Sequence, residues 1–219
     1  MIHFSHVTKY NYQHWPILDN ISFFINKGES VCLCGPGGSG KSTILKLIIM
    51  DEFPDMGEIT LMNYKSTNIS LAKIALLRRE LGIIFEDFKL LNDRSIFENI
   101  ALPLRIKGMG QREIKSRTLK IVTDVGLNHK INDFPVTLSG GEKQKCCIAR
   151  ALIINPWIIL ADEPTGNLDK ESTDEIFRLL EDINLSGTAV LIATHNLELA
   201  KRFKGRVINI NSGKITGRE

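Results

Sequence analysis

No apolar run in these 219 residues approaches the ~20 residues needed to span a bilayer. The N-terminus, Met1-Ile-His-Phe, reads as a strand and lacks the basic-then-apolar layout of a secretory signal, so the chain is expected to be made and kept in the cytosol. Cysteine is scarce, with residues only at positions 32, 34, 146 and 147. Neither pair has metal-ligand spacing, and Cys32 and Cys34 alternate on an apolar strand, which predicts buried, reduced thiols. Cys146 and Cys147 on a predicted helix read as packing, with a redox role as the alternative. A net charge of +3 is too small to indicate a nucleic-acid surface. The basic clusters Arg78-Arg79, Lys115/Arg117/Lys120 and Lys201/Arg202/Lys204 read as solvated helix faces. Repeats, low-complexity tracts, linkers and a coiled-coil insertion are all missing, and 43% hydrophobic with 24% charged residues is ordinary for a globular chain. What remains is one α/β domain with room for an inserted subdomain.

The most informative stretch that is present runs Gly35-Pro36-Gly37-Gly38-Ser39-Gly40-Lys41-Ser42, followed by Thr43. Its spacing, G-x-x-x-x-G-K-S, is that of a phosphate-binding loop. Glycines let successive backbone N–H groups curl round an anion without Cβ clashes. Lys41 supplies a charge for the β- and γ-phosphates, and Ser42 a hydroxyl for Mg²⁺. Val31–Cys34 before the loop reads as a buried strand and Thr43–Ile49 after it as an apolar-faced helix, so the phosphate sits at a helix N-terminus. The chain is therefore expected to bind a nucleoside triphosphate.

The rest of the chain supports an α/β core. Strands are predicted at 2–7, 20–26, 30–35 and 58–62, then a helix at 70–80 and a strand at 82–86. From 95 to 155 the pattern is helical. Strand 157–162, helix 170–185, strand 188–193, helix 196–203 and strand 206–210 then alternate, which means a mostly parallel sheet covered on both faces. The stretch 88–155 reads as a helical insertion in that core.

Two further constellations carry chemistry. Trp157-Ile-Ile-Leu-Ala161 is an apolar strand ending in Asp162 and Glu163. An Asp there holds Mg²⁺, and a Glu one residue on can take a proton from the attacking water. In Leu138-Ser139-Gly140-Gly141-Glu142, Ser139 is a plausible N-cap with Glu142 in the capping-box position. Two glycines opening a helix cost about 1 kcal/mol each relative to alanine. They make sense if that helix end approaches a phosphate closely. The phosphate loop already has its own helix, so a second one points to the nucleotide of a second molecule.

In this order, the phosphate loop, LSGGE, the strand ending in Asp-Glu, Gly166-Asn-Leu-Asp169 and Thr194-His195 resemble an ATP-binding cassette (ABC) ATPase over essentially all 219 residues. The resemblance implies a P-loop NTPase core with a mostly parallel sheet and an antiparallel N-terminal β subdomain (1–87 and 156–219), plus a helical signature subdomain at 88–155. It implies ATP and Mg²⁺ as cofactors and a head-to-tail homodimer. Each ATP would lie between one chain's Gly35–Thr43 and the other chain's Ser139–Gly141. Ser42 and Asp162 would hold Mg²⁺, Glu163 would be the catalytic base, His195 would contact the γ-phosphate and Asp169 would communicate across the dimer. The aromatic expected against adenine falls among Tyr10 and Tyr12, which alternate along the predicted strand; gapless counting lands on Asn11, and Tyr12 is preferred. One departure stands out. Where the family has Gln after the strand Leu81–Phe85, this chain has Glu86, followed by Asp87. A carboxylate there can bind Mg²⁺ but cannot donate a hydrogen bond, so altered or more Mg²⁺-dependent turnover is expected.

The run Asp87–Leu104 brings Phe88, Leu90 and Leu91 to the sheet–helix boundary, where the family receives a short helix from a membrane subunit; core packing of those three is the alternative. That run and Ala161–Asp169 resemble the cell-division ATPases of the family and, more widely, its lipoprotein-release and macrolide-type members. The first resemblance implies a membrane-spanning, FtsX-like partner and a peripheral place on the cytoplasmic face of the bacterial inner membrane, driving activation of cell-wall hydrolases. The second implies the ATPase of an exporter. A third reading is a non-catalytic regulator that uses nucleotide as dimer glue.

Overall fold

The structure, a computed structural model, describes residues 1–166 and 168–218. Strands β1 (Ile2–Tyr10) and β2 (Pro16–Ile25) open the chain, followed by β3 (Ser30–Cys34) and helix α1 (Lys41–Ile48). Next come β4 (Met56–Leu61), β5 (Tyr64–Lys65), α2 (Leu71–Arg78) and β6 (Leu81–Ile84). Three helices follow: α3 (Ile96–Ile106), α4 (Gln111–Asp124) and α5 (Gly140–Leu152). The chain closes with β7 (Ile158–Asp162), α6 (Lys170–Leu185), β8 (Ala189–Thr194), α7 (Leu197–Arg202), β9 (Arg206–Asn211) and β10 (Lys214–Arg218).

Among the described residues the strands form two sheets. One is antiparallel in the order β2-β1-β4-β5; the other runs β10-β9-β3-β8-β7-β6, parallel except for β10. β7 and β8 are near-continuous apolar runs because helices cover both faces of the parallel sheet. The strand period of two is visible in the packing. Val31, Leu33 and Leu191 face a core shared with α1 and the antiparallel sheet. Cys32, Cys34 and Ile192 face the opposite core, under α6. Helices α3, α4 and α5 enclose a third core of Ile96, Ile100, Leu104, Ile114, Val122, Cys146 and Ile153.

Register then sets the site. Cys34 pairs with Thr194, and Asp162 with Ala193, so β3, β8 and β7 end side by side. Ligands of open α/β sheets bind beyond such carboxyl ends.

The expected strands and helices are present, with differences at the edges. β1 reaches Tyr10 and β2 begins at Pro16, so the first hairpin is longer than its apolar alternation indicated. β6 stops at Ile84 because Phe85 starts a turn, closed by the Phe88 N–H donating to the Phe85 carbonyl at 3.1 Å. β5 and β10 lie at sheet edges and were not expected, the first being two residues long and the second largely polar. All four cysteines are buried and unbonded. Burial pushes the Cys32 and Cys146 thiols up to about 12 and Cys147 to about 11. No helix among the described residues is long and apolar enough to cross a membrane.

Candidate active site

The phosphate loop leaves β3 at Gly35, where a Cβ would collide with the Ile210 carbonyl of β9. It enters α1 at Gly40, whose φ of +105° and contact with Leu18 leave no place for a side chain. Lys41 is buried, and its ammonium donates to the carbonyls of Gly35 (2.8 Å) and Pro36 (3.0 Å), which holds the charge inside the loop. The Ser39 hydroxyl is buried with no partner among the described residues. An orphaned hydroxyl and a caged ammonium on a glycine cradle, beside open space at Gly37 and Gly38, fit an anion of several oxygens.

The candidate metal side of the site lies two strands over, at the end of β7. The Ser42 hydroxyl, in the first turn of α1, donates to Asp162 Oδ1 at 3.2 Å. Burial raises the Asp162 carboxyl above its ordinary range; the Ser42 hydrogen bond opposes this, and the negative charges of Glu163 and Glu86 add to it. Excess negative charge beside a hydroxyl is a hard-oxygen environment. The oxygens of Ser42 and Asp162 are hard donors of the kind taken by Mg²⁺, an ion that fills most of its shell with phosphate and water.

Glu163 is the most tightly held carboxylate of the three. One oxygen accepts from the Thr194 hydroxyl (3.0 Å). The other accepts from the His195 backbone N–H (2.9 Å) and lies 2.8 Å from His195 Nδ1. Its own N–H bonds the Ala193 carbonyl, and its φ is +44°. A non-glycine residue in the left-handed region is strained, and strain of this kind gathers at functional sites. Thr194 was expected only as the neighbour of His195, yet its hydroxyl helps to fix the Glu163 carboxylate.

The LSGGE segment begins α5 as the spacing predicts. Glu142 N–H donates to Ser139 Oγ at 3.2 Å and Ser139 N–H to the Glu142 carboxylate at 2.8 Å, a complete capping box. The backbone bond from Ser139 holds the Glu142 carboxyl below the usual carboxylate range. Gly141 has a reason within the chain as well, since a Cβ there would lie 2.8 Å from Ser172 Oγ on α6. Leu138 is buried beneath the cap. Asp169 caps α6 by accepting from Ser172 N–H (2.9 Å) and Ser172 Oγ (2.8 Å), and the same Ser172 hydroxyl occupies the space a Cβ at Gly141 would need. Asn167 of the same motif lies outside the described residues.

The cap carries a prediction. Ser139→Ala is expected to lower thermal stability by about 1 kcal/mol. Because the Glu142 pKa is depressed on folding, its contribution is present above about pH 4.3 and is lost as the pH falls through the folded value. Melting curves of Glu142→Gln and the parent chain should therefore converge in acid. Curves that stay parallel would remove the charge from the account.

Two expectations are corrected. Tyr10 ends β1, half-buried, whereas Tyr12 stands in the turn beyond it and is 91% exposed, so the two do not alternate along a strand. Asn11 organises that turn, its side chain accepting from the N–H groups of Gln13 and Trp15, both at 2.9 Å. Trp15, 70% exposed and outside every recognised motif, is a further aromatic here; it lies two residues before Ile17, which lines the mouth of the phosphate loop. Phe88 and Leu90 pack against the cores and do not present an apolar surface; of the three, Leu91 alone is exposed. An apolar groove of about 540 Å³ lies instead between α2, β6 and α3. Its lining includes the apolar Leu81, Ile83, Phe85, Leu102 and Ile106 and the basic Arg79, Lys89 and Arg150.

Residues 18–166 match the ABC transporter family. The chain is 41% identical over 217 residues to the cell division ATP-binding protein FtsE of Escherichia coli strain K12, covering 99% of this chain and 98% of that protein. It is 44% identical over 198 residues to FtsE of Bacillus subtilis strain 168, covering 90% and 87%. A solved dimeric ATP-binding cassette, in a post-hydrolysis state with ADP and phosphate, superposes with a TM-score of 0.90 at 34% identity, covering 100% of this chain and 98% of that one.

Proposed function

The chain belongs to the ABC transporter family of ATP-hydrolysing cassettes, and on that premise we propose that it is an FtsE-type subunit that drives an FtsX-like membrane partner in cell division. The observation that carries the ATPase reading is the meeting of Lys41, Ser42, Asp162 and Glu163 at the ends of β3 and β7, with Thr194 and His195 closing in from β8. We read residues 1–219 as one cassette, with 88–155 as its helical lobe.

Each residue has a physical task. Lys41, the Ser39 hydroxyl and the backbone N–H groups of Gly35–Thr43 other than Pro36 bind the phosphates, and Tyr12, or Tyr10 in its place, offers a platform for the base. Ser42 and Asp162, with Glu86 at their side, hold Mg²⁺, which when bound neutralises charge on the β- and γ-phosphates. Glu163 takes the proton of the attacking water. His195, bonded to Glu163 through Nδ1, keeps Nε2 for the γ-phosphate. Ser139, Gly140 and Gly141 reach the nucleotide of a second copy, and Asp169, in contact with the same region through Ser172, senses that approach. ATP at the interface favours the closed dimer, a population shift that a bound partner reads as motion. The groove beside β6 receives a segment of that partner, which places the chain peripherally on the cytoplasmic face of the inner membrane.

Affinity capture with the Glu163→Gln chain and MgATP, from detergent-solubilised membranes of its own organism, tests this. Recovery of an FtsX-like protein with wall-hydrolase components is expected. An exporter permease in its place would move the assignment to the lipoprotein-release or macrolide-type group. Parent chain without measurable ATP turnover would leave only the nucleotide-glue reading.

A further inference from the structure

The turn after β6 is held by a residue far from it in sequence. Phe88 N–H donates to the Phe85 carbonyl, so Glu86 and Asp87 are the two central residues of a β-turn. Phe88 (φ 62°) and Lys89 (φ 47°) then follow in the left-handed region, which two consecutive non-glycine residues do not hold unaided. What holds them is α5. Arg150 Nη2 donates to the Phe88 carbonyl and Nη1 to the Lys89 carbonyl, both at 2.6 Å, and the Cys147 thiol donates to the Phe88 carbonyl at 3.2 Å. Further along, the Asn99 side chain accepts from Leu91 N–H (2.8 Å) and donates to the Leu91 carbonyl (3.0 Å). The segment 85–91 is therefore hydrogen-bonded to the helical layer at two points, through Arg150 with Cys147 and through Asn99.

We propose that Arg150 is the positioning residue for Glu86: by clamping the two left-handed carbonyls it sets the turn that presents the Glu86 carboxylate to the metal side of the site. The proposal rests on the reading that Ser42, Asp162 and Glu86 surround the metal; Ile84 pairs with Ala161, so β6 and β7 end side by side and Glu86 follows two residues beyond. A planar, two-pronged donor is needed because two successive carbonyls must be held at once, which a lysine ammonium does less well. Arg150 also lines the apolar groove with Phe85 and Lys89, so a segment seated there presses on the same guanidinium.

The test is a binding cycle that does not use turnover. Mn²⁺, standing in for Mg²⁺, is titrated into the chain with ADP and followed by its paramagnetic resonance signal, for the parent, Arg150→Met, Glu86→Ala and the double variant. Arg150→Met is expected to weaken Mn²⁺ binding about fivefold when Glu86 is present and to have almost no effect when it is alanine, the coupling typical of groups in one network. Arg150→Lys should fall between parent and Arg150→Met, and it carries the cycle if the methionine variant does not fold. A merely structural Arg150 would lower the melting temperature alike in both backgrounds and shift Mn²⁺ binding equally in both; that result overturns the proposal. Asp162→Asn is the separate control. If it leaves Mn²⁺ binding unchanged, the metal-side reading itself fails, and the proposal falls with it.

Discussion

Replacing Glu163 by glutamine is expected to leave ATP binding intact while slowing hydrolysis by about 10²–10⁴-fold, the usual worth of a positioned general base. The substitution is chosen for what it keeps. Glutamine keeps one acceptor oxygen for the His195 N–H, and its amide N–H₂ can donate to the Thr194 hydroxyl oxygen, so the cage seen at 3.0 and 2.9 Å is kept with one bond reversed. Only the ability to take a proton is removed. With hydrolysis stopped, the ATP-closed dimer should accumulate, and size-exclusion chromatography with MgATP should show a shift that ADP does not produce. Glu163→Ala is a poorer probe, since it also leaves the buried Thr194 hydroxyl without its partner. Normal turnover by Glu163→Gln would place the base on another residue.

Lys41→Ala is expected to be the most severe change to binding itself. Hydrogen bonds from a charged donor contribute about 1.5–3 kcal/mol each, and the proposed role of the ammonium is to reach the β- and γ-phosphates. At 1.4 kcal/mol per tenfold, losing one or two of them weakens ATP by about 10–10⁴-fold. The loop also loses its internal ties to the Gly35 and Pro36 carbonyls, so its shape loosens as well. Calorimetric titration with ATP measures this, and retained tight binding would undo the assignment of the loop. Tyr12→Ala in the same assay separates charge from stacking: losing one base–aromatic contact is worth about 1–3 kcal/mol, and it should leave the affinity for inorganic tripolyphosphate unchanged.

What the sequence made legible was whatever is encoded locally. The phosphate loop, the capping box at Ser139 and Glu142, and the apolar strand ending at Asp162 each sit in one short window, and each is where its spacing placed it. Helix α6 runs Lys170–Leu185, as its periodicity indicated. What was not legible depends on residues distant in sequence. Arg150 reads as an ordinary polar position late in an amphipathic helix until its two bonds to residues 88 and 89 are seen. Asn99 reads as a helix residue, not as the clamp on Leu91. Phe88 and Leu90 look like exposed apolar side chains because nothing nearby in sequence reveals the α5 and α3 surfaces that cover them. The turn at Asn11 broke the strand alternation on which the tyrosine assignment depended, since an Asn side chain that caps two N–H groups ends a strand without any glycine or proline to announce it.

The four native cysteines have a practical corollary. Reaction with maleimides and disulfide probes proceeds through the thiolate. All four thiols here are buried, and burial holds their pKa values above the ordinary range, to about 11 or 12 for three of them. The folded wild-type chain is thus close to a silent background for thiol chemistry. One cysteine placed at an exposed position such as Val136, near the LSGGE segment, or Leu185, at the far end of α6, would accept a fluorophore or spin label alone. Opening and closing of the dimer can then be followed without first stripping the core of Cys32, Cys34, Cys146 and Cys147 and disturbing the strands and helices they pack.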